Sequence, residues 1–157
     1  MNSKPFTIHI ATDHAGFSLK GDIVKWLQAE GYVVVDHGTH HLDEGDDFPD
    51  FIGKAARAVS QNPAHTKGVI FGGSGQGEAM AANRFPHVRA VVYYGGNDDI
   101  VRLSRQHNDA NVISFGARFV SLEETKRALT TWLETPFDGQ EKRERRNQKI
   151  ERLTRDV

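Results

Sequence analysis

Residues 68–84 read Gly-Val-Ile-Phe-Gly-Gly-Ser-Gly-Gln-Gly-Glu-Ala-Met-Ala-Ala-Asn-Arg. The apolar run Gly68–Phe71 passes directly into Gly72-Gly73-Ser74-Gly75-Gln76-Gly77, and Glu78–Arg84 then reads as a short helix. A short apolar run bounded by turn residues suits a strand buried on both faces. A buried strand that ends in a glycine turn and resumes as a helix is the repeating step of a parallel α/β sheet.

The same step recurs on both sides. Phe6–Thr12 predicts a first strand and Ser18–Glu30 a helix with Leu19, Ile23 and Leu27 four apart on one face. Gly31 stands where a left-handed residue is wanted to end that helix. Tyr32–Asp36 predicts a second strand, apolar enough that burial on both faces is expected. A polar loop, His37–Phe48, follows, and Pro49 opens a helix carrying Ile52, Ala55, Ala56 and Val59. Arg89–Tyr94 is the fourth strand, Asn97 caps a helix to about Gln106, and Val112–Phe115 is the fifth strand. Ser121-Leu122-Glu123-Glu124 has capping-box spacing and starts a helix to about Glu134.

Five such units, with no internal repeat or linker, predict an α/β fold: a three-layer Rossmann-like sandwich, with helices on both faces of a five-stranded parallel sheet. Ligands of such sheets bind beyond the carboxyl ends of the strands. That rule directs attention to Asp13–Gly16, Gly72–Gly77 and the loop after Phe115.

The whole composition fits one domain spanning residues 1–157. Of these residues 38% are hydrophobic and 26% charged, and cysteine is absent, which excludes disulfides, thiolate metal sites and a cysteine nucleophile. Twenty basic residues against 21 acidic ones give no global field toward nucleic acid or membrane. No apolar run approaches the roughly 20 residues of a membrane span, and Met1–Ala11 lacks the long apolar segment of a signal peptide. A cytoplasmic location is the resulting expectation. The tail, residues 137–157, is basic and strongly polar; it can be a solvated face or a surface that packs on a second subunit.

Within the glycine loop, Gly73, Gly75 and Gly77 let the backbone curl around a ligand, with Ser74 and Gln76 between them. The loop lacks the Gly-Lys-Ser/Thr ending of a phosphate-binding P-loop, the Gly-x-Gly-x-x-Gly of a dinucleotide site and the second glycine of a nucleophile elbow. Glu78 suits the first turn of a helix, where a carboxylate complements the dipole. It equally suits a general base beside a row of amides able to hold an oxyanion. Asp13 and His14 follow the first strand, His107 and Asn108 follow a helix, and Arg118 lies two residues past Gly116. The run His40-His41 with Asp43, Glu44, Asp46 and Asp47 has no regular ligand spacing, so a solvated loop and no metal site is expected there.

Taken together, the segments resemble the type B ribose-5-phosphate isomerase family, which includes galactose-6-phosphate and allose-6-phosphate isomerases. The matching pieces are Thr12-Asp13-His14-Ala15-Gly16-Phe17-Ser18-Leu19-Lys20, Asp47-Phe48-Pro49-Asp50, Gly72–Glu78 with Ala81-Ala82-Asn83-Arg84, Ser104–Val112, and Phe115-Gly116-Ala117-Arg118. They cover about Ile8 to Ile150 in the family's order.

The resemblance implies interconversion of an aldose phosphate and a ketose phosphate without metal or organic cofactor. Many members carry a catalytic cysteine at the position of Gly72; this chain resembles the subgroup with a glutamate base at the position of Glu78. The resemblance further implies His107 and Asp13 in ring opening, with the amides of Gly73–Gly77 and the Ser74 hydroxyl on the enediolate. It places His14, Arg118 and Arg146 on the phosphate and Asn108 on a sugar hydroxyl. Members are dimers whose site is completed by the neighbouring subunit, so a homodimer or dimer of dimers is expected, with no nucleic acid or membrane as partner. Two departures bear on substrate choice. Lys142 stands where the family commonly has the first of two tail arginines, leaving Lys142 or Arg143 to complement Arg146, and Phe48 stands where many members have tyrosine. Ribose 5-phosphate is the expected substrate. Erythrulose 4-phosphate, allose 6-phosphate or galactose 6-phosphate would keep the chemistry, and a non-catalytic sugar-phosphate sensor would keep only the fold.

Overall fold

The computed structural model describes residues 4–153; the first three and last four residues, including the end of the basic tail, lie outside the described residues. Five parallel strands form one sheet: β1 (Thr7–Thr12), β2 (Val34–Asp36), β3 (Thr66–Gly72), β4 (Ala90–Tyr93) and β5 (Val112–Gly116). Their spatial order is β2-β1-β3-β5-β4. Side chains alternate across the sheet and fill a core on each side. Ile8, Ile10, Val69, Phe71, Ile113 and Phe115 point to one face, where α1 (Phe17–Ala29), α4 (Asp99–Asn108) and α5 (Leu122–Glu134) pack. Ala11, Ile70 and Val112 point to the other, under α2 (Phe48–Gln61) and α3 (Gln76–Ala82). The predicted sandwich is the observed one. The tail forms α6 (Glu141–Arg152), which rests on α4 and buries only Asn147. Among the described residues, no helix is long and apolar enough to cross a membrane.

Local signals act as the sequence suggests. Gly31 takes a positive φ of 86° past the end of α1. The Ser121 hydroxyl accepts from the Glu124 N–H while the Glu124 carboxylate accepts from the Ser121 N–H, closing the capping box. The Asn97 side chain accepts from the Asp99 N–H at 2.9 Å, so it caps α4 although the helix itself begins two residues later.

One expectation is corrected. The second strand is not buried on both faces: β2 is an edge strand, with Val35 39% exposed and Val33, just before it, 64%. Its apolar run serves pairing with β1 rather than burial. The pairing continues past the strand, where the Thr12 N–H donates to the Gly38 carbonyl and the Thr39 N–H to the Thr12 carbonyl. Lys20, 3% exposed, fastens this corner by donating to Asp36 and to the Thr39 carbonyl.

The order β2-β1-β3-β5-β4 contains a point where the chain changes direction across the sheet. From β1 it leaves toward β2; from β3 it leaves toward β4 and β5. Between the carboxyl ends of β1 and β3 the loops therefore part and open a crevice.

Candidate active site

The crevice is lined by the segments that follow β1, β3 and β5. After β1, Asp13 is buried and its Oδ1 accepts from the Ala15 N–H at 3.0 Å, capping a short 3-10 turn over His14–Gly16. His14 is half-buried beside it. After β3, the chain turns at Gly75, whose φ of 78° favours glycine, and α3 begins at Gln76. The helix thus starts two residues earlier than predicted and places Glu78 inside its first turn. The Ser114 hydroxyl from β5 donates to the Gly75 carbonyl at 2.7 Å and holds the turn down. Among the described residues, the Ser74 and Gly75 N–H groups have no acceptor, and that of Gln76 reaches only the Ser74 hydroxyl, at 3.4 Å. Unpaired amides at a turn form a concavity suited to an anion.

Glu78 is 5% exposed. Its carboxylate lies against the backbone of Gly72: a Cβ placed there would stand 1.9 Å from Glu78 Cδ and Oε1. Position 72 therefore has to be glycine for this carboxylate to occupy its place. Burial raises the Glu78 pKa above the ordinary carboxylate value; its own backbone N–H opposes this, and the nearby charge of Asp13 adds to it. A carboxylate so destabilised takes up a proton more readily than one in water, as a base requires.

Two basic side chains face this region. The Arg118 guanidinium lies over Gly73, where a Cβ would be 3.2 Å from Nη1, and the Arg118 N–H donates to the Gly73 carbonyl at 3.1 Å. Among the described residues Arg118 has no carboxylate partner. His14 Nδ1 lies 2.7 Å from Asp46 Oδ1 and 3.8 Å from Asp13 Oδ2. Phe48 rests on Gly77, its Cζ 2.9 Å from where a Cβ would stand. The acidic loop contributes Asp46 alone to this group; His40, His41, Asp43, Glu44 and Asp47 are exposed. Asp13, His14 and Asp46 are the one cluster of three potential metal ligands found among the described residues, and its closest contact is a hydrogen bond. Nothing in the spacing 37–48 distinguished Asp46 from its neighbours; only the fold turns it toward His14.

The remaining candidates lie elsewhere. Helix α4 runs antiparallel to the strands, so its end carries His107 and Asn108 to the amino edge of the sheet. The Asn108 carbonyl accepts from Arg89 Nε at 2.9 Å, just before β4, and the neighbouring Asn111 carbonyl accepts from the Gly68 N–H in β3. From Gly68–Val112 to Gly72–Gly116 the sheet advances four residues, roughly 13 Å at the usual rise. Asp13, His14, Gly73–Gly77, Glu78 and Arg118 thus meet at one edge, and His107 and Asn108 lie at the other. The tail is held to that second edge. Asn147 donates to the His107 carbonyl at 3.4 Å, the Asp138 N–H donates to the Gln106 carbonyl, and Glu151 accepts from Arg89 at 2.8 Å. Arg143 is paired with Asp138, whereas Lys142 and Arg146 are exposed.

A sequence model of the ribose/galactose isomerase family matches residues 8–150. Ribose-5-phosphate isomerase B of Escherichia coli is 38% identical over 147 residues, 94% of this chain and 93% of that protein. The crystal structure of ribose-5-phosphate isomerase B from Mycoplasma genitalium, with bound ribulose-5-phosphate, superposes with a TM-score of 0.91 at 35% identity, covering 97% of this chain and 98% of that one. The Clostridium thermocellum ribose-5-phosphate isomerase B structure gives 0.89 at 38% identity, covering 96% and 99%.

Proposed function

Because this chain belongs to the ribose/galactose isomerase family, we propose that it interconverts ribose 5-phosphate and ribulose 5-phosphate by proton transfer through an enediolate. The observation that carries this reading is the buried Glu78 carboxylate, set against Gly72 at the head of a loop with unpaired amides. Glu78 takes a proton from carbon two and returns it to carbon one. The enediolate oxygens are held by the amides of Gly73, Ser74, Gly75, Gln76 and Gly77, with the Ser74 hydroxyl beside them. Donors fixed in advance where charge develops lower the barrier without reorganising during the reaction.

Ring opening needs an acid and a base across the sugar, and Asp13 supplies one side. His107 lies at the far edge of its own sheet, so the group opposite Asp13 comes from a second copy of the chain. In this reading two copies pair with the amino edge of each against the carboxyl edge of the other. One surface, α4 and α6, then delivers His107, Asn108, Lys142 and Arg146 together. Lys142 rather than Arg143 complements Arg146 on the phosphate, because Arg143 is already paired with Asp138. The protein acts as one domain in a homodimer or a dimer of dimers, as a cytoplasmic enzyme of sugar-phosphate metabolism.

The test is turnover of ribose 5-phosphate beside erythrulose 4-phosphate, allose 6-phosphate and galactose 6-phosphate. The expected result is a kcat/KM for ribose 5-phosphate of about 10⁴ M⁻¹s⁻¹ or more. Activity confined to another of these sugars keeps the mechanism and replaces the substrate. Tight binding without turnover of any of them overturns the enzyme reading in favour of a sensor.

A further inference from the structure

Asp46 has no part in the machinery above, yet it is the partner of His14, which the family resemblance puts on the phosphate. Its side chain is 7% exposed. Oδ1 accepts from the His14 backbone N–H at 3.2 Å and faces His14 Nδ1 at 2.7 Å, while Oδ2 is buried without a partner among the described residues. An ionised carboxylate only accepts hydrogen bonds. The Nδ1 position must therefore carry a proton, and Nε2 is the nitrogen left for a ligand. Arg118, the fixed cation of the crevice, has no carboxylate partner among the described residues, and its charge works against a second one on His14. A guanidinium and an imidazole with a free ring nitrogen, set together at a crevice, make a seat for an anion.

We propose that Asp46 is a positioning residue for the substrate's phosphate, locking His14 through Nδ1 so that it presents a charged Nε2–H donor alongside Arg118. The proposal rests on the sugar-phosphate reading above. An imidazolium offers the phosphate dianion both a donor and a positive charge, and charge-assisted hydrogen bonds are roughly twice as strong as neutral ones. The groups facing His14 pull in both directions, and the two carboxylates prevail. Asp46, in the loop before α2, raises its pKa most, and Asp13 at the end of β1 adds to this. Partial burial and Arg118, in the turn after β5, oppose it. The folded value lies above the ordinary histidine value, so the charge is present below that value and is lost as pH rises through the raised one.

The experiment compares wild type with Asp46→Asn, which keeps an acceptor of the same shape without charge. His14 is titrated by NMR of imidazole-labelled protein, with inorganic phosphate as the probe, and KM for ribose 5-phosphate is followed against pH. Wild type should show His14 protonated at Nδ1, titrating above an ordinary histidine and shifting when phosphate is added. In Asp46→Asn the titration and the alkaline rise in KM should both move to lower pH. Between the two titrations, where His14 is charged in wild type and not in the variant, KM should rise about tenfold while kcat changes by less than about threefold.

An unchanged His14 titration in Asp46→Asn, or a wild-type His14 signal indifferent to phosphate, overturns the proposal. Both readouts are independent of turnover. If wild type isomerises no sugar phosphate while His14 behaves as stated, the assigned reaction fails and the anion site stands. The wild-type titration also decides the matter if the variant does not fold.

Discussion

Glu78 and position 72 compete for one volume, and this gives two expectations at the scale of a residue. Glu78→Gln should lower kcat by about a thousandfold, as loss of a positioned base does, measured with ribose 5-phosphate at pH 7.5. The same change should not lower the melting temperature there. A carboxyl whose folded pKa lies above its unfolded value loses stability as pH rises through that window, so at neutral pH the charge is a cost the glutamine removes. Gly72→Ala should keep the fold but push the carboxylate aside, since its Cβ would stand 1.9 Å from Glu78 Cδ. A fall in kcat of about a hundredfold with KM nearly constant is expected. Wild-type rates in either variant would remove Glu78 from the chemistry. In wild type the acid limb of kcat/KM should break above the ordinary glutamate value, because activity needs the ionised carboxylate and burial delays its formation.

Among elements, α5 separates stability from activity. Its capping box lies on the surface and its C-terminal end approaches the amino edge, where Arg105 donates to the Thr135 carbonyl. Ser121→Ala removes one side of the box and should cost about 1 kcal/mol, visible as a lower melting temperature with kcat unaltered. This element was legible because its signal is local, as were Gly31, Asn97 and the glycine loop. What the sequence hid is what depends on neighbours in space. An apolar run such as Tyr32–Asp36 reads the same at the edge of a sheet as at its centre, and only the strand order exposes Val33 and Val35. Asp46 was one acid among several until the loop folded it against His14. Gly68–Glu78 announced itself because a glycine turn between strand and helix has few other uses. The opposite placement of His107 follows from helix direction alone, once a helix between parallel strands is seen to run back along the sheet.

At the scale of the whole molecule, each chain carries Glu78, the proposed base, at one edge of its sheet and His107, the proposed ring-opening histidine, at the other. In the proposed pairing, neither Glu78→Gln nor His107→Ala homodimers should turn over. Unfolding the two variants together and refolding them at equal concentration should restore about one quarter of wild-type activity: half the pairs are mixed, and each mixed pair holds one intact site of two. A mixture that stays inactive would mean that base and histidine act from the same chain. The separation of the two edges also bears on what a duplicated gene could become. Two diverging copies that still paired with each other could share the labour, one retaining the glycine loop with its glutamate and the other the helix end with its histidine. Each copy alone would then look like a degenerate relative that had lost half of its equipment.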